Sequence, residues 1–468
     1  MKRIALLALV AVFVLGMTGS ASALHLQQGE AGEAGGGTAY MNVYGHVANY
    51  AYWENNADFD DDLHADDSNE FFGETDWYLG FEIAQSENLK AFIQLYQEQD
   101  WGETAGAAGA DASYSGEGED NLNIENAYLE FLVPNTDIRV KGGDFGFQLP
   151  GAGGDNVFDD TANGIQISTP FNDMVGLTAG YALLDLEKSG NEEEDYQTSA
   201  AYAVLPITMD GISFNPYFMF AESDSGAESG NLVPKFATAK ANDHTAYWYG
   251  FNSAITMFDP ITIGADFIYG TSSVENTDAT YDADAGDRAG WFAQLTADYK
   301  MDMVTPGLVF FYGSGDNDDA DDGSEMLPTI VPNYKPFNAV DDFGHGAETG
   351  AFNSSGAEIG AGLWALAFQL KDISFIEKLS HDLTLGYVAG TSDKAVVEEG
   401  LYEESFLTEE DSMWTVEFDN TYQVYENLSA GLFFAYTKAD FDDDLDNRAD
   451  DYKDDAYTTM EASLSYSF

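Results

Sequence analysis

The sequence predicts an all-β protein: a transmembrane antiparallel up-and-down β-barrel of about 18 strands, with 16 as the other count the spacing allows. Three observations lead there. A secretion leader opens the 468 residues, an alternating apolar strand closes them, and the connections between switch regularly from short turns to long loops.

Lys2 and Arg3 precede an apolar run from Ile4 to Met17, and Ala21-Ser22-Ala23 follows as a small-residue cleavage site. Residues 1–23 therefore read as a signal peptide, outside the fold. The run is short for a bilayer-spanning helix. Residues 24–38, rich in Gly, Glu and Gln, read as a flexible lead, and residues 39–468 as one barrel. No later segment approaches ~20 consecutive apolar residues. The remainder thus either stays soluble after export or crosses a membrane as closed strands, because only helices and closed barrels satisfy their backbone in lipid.

All 83 acidic residues lie beyond the leader, against 15 of the 17 Lys and Arg, for a net charge there of −68. Nucleic acid is excluded as a partner, since phosphate binding needs clustered cations. Cysteine is absent, which removes disulfides and thiolate metal sites. Aromatic residues make up 14% of the chain, too many for a wholly disordered acidic polymer.

The closing stretch alternates strictly, with Met460, Ala462, Leu464, Tyr466 and Phe468 on one face and Glu461, Ser463, Ser465 and Ser467 on the other. Period-2 alternation marks a strand with one apolar and one wet face. Leu464, Tyr466 and Phe468 are thus the barrel-closing signal. Working back, eight short connections carry chain-reversing chemistry: Ser86–Asn88, Pro134–Asp137, Pro170–Asp173, Thr208–Gly211, Asp259-Pro260, Asp302–Pro306, Ile373–His381 and Glu426-Asn427. Nine longer ones interleave with them, giving eighteen strands. Short periplasmic turns, long extracellular loops and an even strand number are the habit of bacterial barrels.

Inside the strands the same alternation recurs. Trp77, Leu79, Phe81 and Ile83 oppose Tyr78, Gly80, Glu82 and Ala84, while Trp414, Val416 and Phe418 oppose Thr415, Glu417 and Asp419. In a barrel the apolar face meets lipid and the polar face lines the lumen, so Glu82, Glu98, Glu130, Asp298, Glu417 and Asp419 are expected to face inward. A secreted acidic β-sandwich would show the same pattern with the apolar faces packed together. The leader, the aromatic strand ends and the alternating loop lengths favour the barrel. With 16–18 strands a barrel encloses an aqueous channel, unlike an eight-stranded one.

The segment Ile138 to Pro150 carries two of the scarce cations, Arg139 and Lys141, alternating with Ile138 and Val140 and so expected on the lumen wall. They either shape the aperture or pair with a nearby carboxylate such as Glu130. Acidic runs at Asp58–Asp62, Asp316–Asp322 and Asp442–Asp446 fall in long loops. Asp60, Asp62, Asp318, Asp322, Asp442, Asp444 and Asp446 offer hard oxygen ligands suited to weak Ca²⁺ or Mg²⁺ binding. A solvated anionic rim is the plainer reading, because Asn447 and Lys453 stand where an EF-hand needs Gly and Glu. No other cofactor is expected. The six histidines are dispersed, and no nucleophile, zinc or phosphate-loop motif is present, so no enzyme activity is expected.

The Arg-x-Lys-x-Gly-x-x-Phe strand at Arg139–Gly146, the loop after it, the Asn163-Gly164-Ile165-Gln166-Ile167 return and terminal Phe468 resemble the general diffusion porins and, more closely, the homotrimeric outer-membrane porins of sulfate-reducing bacteria. The resemblance implies a homotrimer in outer-membrane lipid. It also implies a third loop (148–163) folded into the lumen, with Arg139 and Lys141 as wall cations facing Asp155, Asp159 and Asp160 across a constriction. The chain departs from the general porins in its length, its strand count and its lack of a richer arginine cluster. The function expected is passive diffusion of small hydrophilic solutes and ions, with cations preferred. A substrate-specific channel with a sugar track of lumen aromatics is the alternative within the fold.

Overall fold

The computed structural model describes residues 40–55, 69–101, 122–188, 195–223, 244–274, 287–317, 323–330, 334, 362–398, 407–442 and 456–468. The leader, the lead and most of the acidic loop runs lie outside them. No described helix is long and apolar enough to cross a membrane.

Eighteen antiparallel strands form one closed sheet, each beside its neighbours in sequence. They are β1 (Tyr40–Asn55), β2 (Asn69–Ser86), β3 (Leu89–Asp100), β4 (Asn123–Leu132), β5 (Arg139–Gln148), β6 (Asp159–Pro170), β7 (Gly176–Lys188), β8 (Asp195–Val204, resumed at Ile207–Met209), β9 (Ile212–Ser223), β10 (His244–Phe258), β11 (Ile261–Val274), β12 (Arg288–Tyr299), β13 (Thr305–Gly313), β14 (Leu363–Ile376), β15 (Leu379–Gly390), β16 (Ser412–Tyr425), β17 (Leu428–Asp440) and β18 (Ala456–Ser467). The expected count of eighteen holds, and the β-sandwich alternative does not form. The break in β8 falls at Pro206, which has no N–H for the ladder. Both halves of β8 still pair with β9, and Leu205 donates its N–H to the Pro216 carbonyl at 2.9 Å, so the sheet runs on without a gap.

Closure is made by β1 and β18, in register from His46↔Ser467 to Asn55↔Thr458. Phe468 extends the ladder: its N–H donates to the Gly45 carbonyl and its carbonyl accepts from the Gly45 N–H, both at 3.0 Å. Its ring covers Gly45, where a Cβ would collide with it at 2.6 Å. The three expected closing residues face outward, with Phe468 50% exposed.

All eight expected turns fall at one end of the barrel and the long connections at the other. The outer surface is a coat of exposed aromatic and aliphatic side chains, among them Tyr249, Tyr269, Trp291, Phe368, Trp414 and Phe434. The buried apolar residues are inside the barrel instead. There Phe147, Tyr202, Met219, Trp248, Ile268, Phe292 and Phe311, all inward-facing, pack against Leu149, Val157 and Phe158 from the β5–β6 connection and Met326, Leu327, Ile330 and Tyr334 from the β13–β14 connection. Each fully buried side chain of this size contributes roughly 1.5–3 kcal/mol. These two connections are held inward by an apolar core of their own.

Candidate functional site: the barrel lumen

The third long connection is shorter than expected. Asp159 to Asn163 already pair with Asp144 to Gln148, so the loop spans 149–158 rather than 148–163. It contains one short helix, α1 (Gly151–Asp155), which packs against the inner faces of β10, β11 and β12. Gly151 has φ +72°, and a Cβ there would meet Asp266 Oδ1 at 1.9 Å, so only glycine allows this approach. The β13–β14 segment braces the loop: Ile330 donates its N–H to the Val157 carbonyl at 2.9 Å, and Trp248 Nε1 donates to the Pro328 carbonyl at 2.8 Å.

Arg139 and Lys141 both face the lumen, as their register with Ser168 and Gln166 requires. Arg139 Nη1 donates to Glu130 Oε1 at 2.8 Å, and Lys90 Nζ lies 3.8 Å from the same carboxylate and 3.6 Å from Glu82. Lys141 Nζ sits over the Tyr128 and Phe145 rings, 4.9 and 5.0 Å from their centres, a cation–π arrangement. These cations gather near the turn end of β5. Asp159 and Asp160 begin β6 at its loop end, nine ladder steps from Arg139, or ~30 Å along the strand. The structure therefore does not bring the wall cations opposite Asp159 and Asp160, because these anions stand at the loop end of β6 and the cations at the turn end of β5.

Asp155 ends α1 and accepts a hydrogen bond from Gln148 Nε2 at 2.8 Å. Burial pushes its carboxyl up to about 6; the Gln148 bond opposes this, and the charges of Asp159 and Asp266 add to it. Asp160 is exposed and accepts the Thr161 N–H.

Glu82, Glu98, Glu130, Asp298, Glu417 and Asp419 all occupy inward positions by register. Asp298 pairs with Lys371 at 2.7 Å, and Glu98 accepts the Tyr96 hydroxyl at 2.7 Å. Asp419 stands directly opposite Asp382 across β15 and β16, and Asp419 and Glu461 share the row through Phe433 on β17. β15 to β18, β1 and β2 hold no Arg within their bounds and one Lys, Lys438, at an outward position.

Of the seven acidic-loop residues offered as cation ligands, Asp442 alone lies within the described set. Its N–H donates to Asp411 Oδ1 at 2.8 Å, and its carboxylate is 3.9 Å from Lys394 Nζ. Asp60, Asp62, Asp318, Asp322, Asp444 and Asp446 lie outside it. The described residues do assemble one carboxylate group that sequence reading missed: Glu74, Asp76 and Glu98 each place an oxygen within 4.8 Å of the others. Glu74 and Asp76 share the inner face of β2 by their two-residue spacing, but only the Asp76↔Glu98 register reveals the third partner.

No protein-family model matches the chain, and no curated protein matches its sequence. Solved structures do match. A variant of OccD1 (OprD) aligns with TM-score 0.57 and 15% identity over 93% of this chain and 97% of that one. The outer membrane protein OprD from Pseudomonas aeruginosa aligns with TM-score 0.52 and 15% identity over 92% and 93%. OccAB3 from Acinetobacter baumannii aligns with TM-score 0.55 and 11% identity over 92% and 99%. The resemblance to the homotrimeric porins of sulfate-reducing bacteria finds no support among these. The fold is the closed 18-stranded barrel seen in the OprD/Occ outer-membrane porins, and its largely apolar outer coat is what a membrane-spanning barrel requires.

Proposed function

We propose that the protein is a diffusion channel for small hydrophilic solutes that prefers cations. The observation that carries this reading is the inner wall: a closed barrel wide enough for water, lined by carboxylates whose nearby cations are already engaged. Arg139 and Lys90 are paired, Lys141 is drawn onto aromatic rings and Lys371 is paired. The Asp382–Asp419 pair sets like charges directly opposite each other, which costs stability in a sheet and is relieved by a passing cation. Reversal potentials across planar bilayers under a KCl gradient test the preference. The expected sign is that of K⁺ permeating faster than Cl⁻; an anion-selective potential would sink it.

A substrate-specific channel is the second reading. A file of inward rings crosses β1 to β5: Tyr44 to Phe92 at 5.6 Å, Phe92 to Tyr128 at 5.2 Å and Tyr128 to Phe145 at 6.3 Å. Such a file suits sugar faces, and current block that saturates with added sugar would favour it.

A homotrimer is our reading of the assembly. Asp144 lies on the outer face in mid-strand, between Ala127 and Asn163, with open space over neighbouring Gly146. A carboxylate bare to lipid is unfavourable, and an adjoining barrel would cover it.

A further inference from the structure

The first turn of a helix leaves backbone N–H groups without partners. At α1 the preceding residue is Pro150, and no side chain of the loop caps the turn. The barrel wall supplies a carboxylate there instead. Asp266, on the inner face of β11 and 7% exposed, lies against this turn, its Oδ1 only 1.9 Å from where a Cβ on Gly151 would stand, and so faces the backbone N–H of Ala152. Its Oδ1 also accepts from Asn252 Nδ2 at 2.9 Å, and Asn252 Oδ1 accepts from Asn215 Nδ2 at 3.2 Å.

These residues form a single cross-strand row. Asn215 on β9 is in register with Asn252 on β10, Asn252 with Asp266 on β11, and Asp266 with Gln294 on β12. Both inward connections plug into it: Ala152 of the third loop on Asp266, and the Tyr334 hydroxyl of the β13–β14 connection on Gln294. The row runs beside the buried Trp248, Ile268 and Phe292 of the same inner wall, and its members bond to one another and to the Tyr334 hydroxyl.

We propose that this row is a latch that sets the aperture, with Asp266 as the positioning residue that holds the third loop across the lumen. The proposal rests on the reading of the barrel as a diffusion channel. A charge-assisted bond to a backbone N–H is about twice as strong as a neutral one. Losing it therefore lowers the ratio of docked to released loop roughly tenfold. Asn215 and Asn252 keep the carboxylate aimed at Ala152, and Gly151 lets it come close.

The test compares Asp266→Ala, Asp266→Asn and Asn252→Ala with the native chain by single-channel recording and by hydrogen exchange over residues 149–158. Asp266→Ala is expected to raise both flicker frequency and loop exchange about tenfold. In Asp266→Asn the amide oxygen still accepts from Ala152 and restores most of the native behaviour, which a loss of packing volume would not do. If Asp266→Ala fails to give a heat-modifiable band, Asn252→Ala carries the comparison, with flicker and exchange expected to rise in the same direction. Native-like exchange and flicker in a folded Asp266→Ala or Asn252→Ala chain would overturn the latch. A native chain that passes no current, but whose loop exchange still responds to Asp266→Ala, would leave the latch standing and remove the channel reading.

Discussion

Trp248 carries the inner core at the scale of single residues. It is fully buried, its Nε1 donates to the Pro328 carbonyl, and Gly270 opposite makes room for its indole. Trp248→Ala removes both the packing and the bond, with an expected destabilisation of about 3–5 kcal/mol. The shift of the heat-modifiable gel band to lower temperature reads it, and an unchanged transition would show that the inner core is dispensable. Gly143 is a second single-residue constraint. Its φ is +130° and a Cβ would lie 2.3 Å from the Ala127 carbonyl oxygen, so β5 passes β4 at a distance that no larger residue allows.

The third loop is the element whose state responds to pH. The Asp155 carboxyl is raised to about 6 in the folded chain, against about 3.9 when unfolded. Between these values the folded state holds the proton more tightly, so this group favours folding most below about pH 4 and loses that contribution as pH rises through 6. Asp155→Asn lacks the titration. Relative to the native chain it should gain on the order of 1–2 kcal/mol between about pH 4 and pH 7, after discounting for the solvent the group still meets. Unfolding in urea at the two pH values measures the difference, and a difference constant with pH would refute the assignment.

For the whole molecule, charge and assembly are the testable properties. The cation preference should weaken as KCl rises from about 0.1 to 1 M, because the Debye length falls from about 10 to 3 Å. The trimer reading predicts a three-step cross-linking ladder in detergent for the native chain. Replacing Asp144 by leucine makes its face suitable for lipid and should leave the ladder weaker if the acid marks the contact. A single band in both chains would argue for a monomer.

Much of the barrel was legible in the chain because its strands obey a period of two and its turns have their own chemistry. Trp77 to Ile83 and Met460 to Phe468 fall on the faces that alternation assigns, and Pro206 could interrupt β8 without altering the count. The pairing of Arg139 was legible only as one of two options, since a wall cation and an ion-paired one look alike in sequence. The latch was not legible at all. Asn215, Asn252, Asp266 and Gln294 are isolated polar residues on four different strands, and only the strand register aligns them. Local periodicity and turn chemistry thus determined that this chain makes an antiparallel membrane barrel of about 18 strands with its polar faces turned inward. Tertiary structure decided where the loops dock, which charges are neutralised and which carboxylate holds the third loop, because those depend on residues brought together across the lumen from distant parts of the chain.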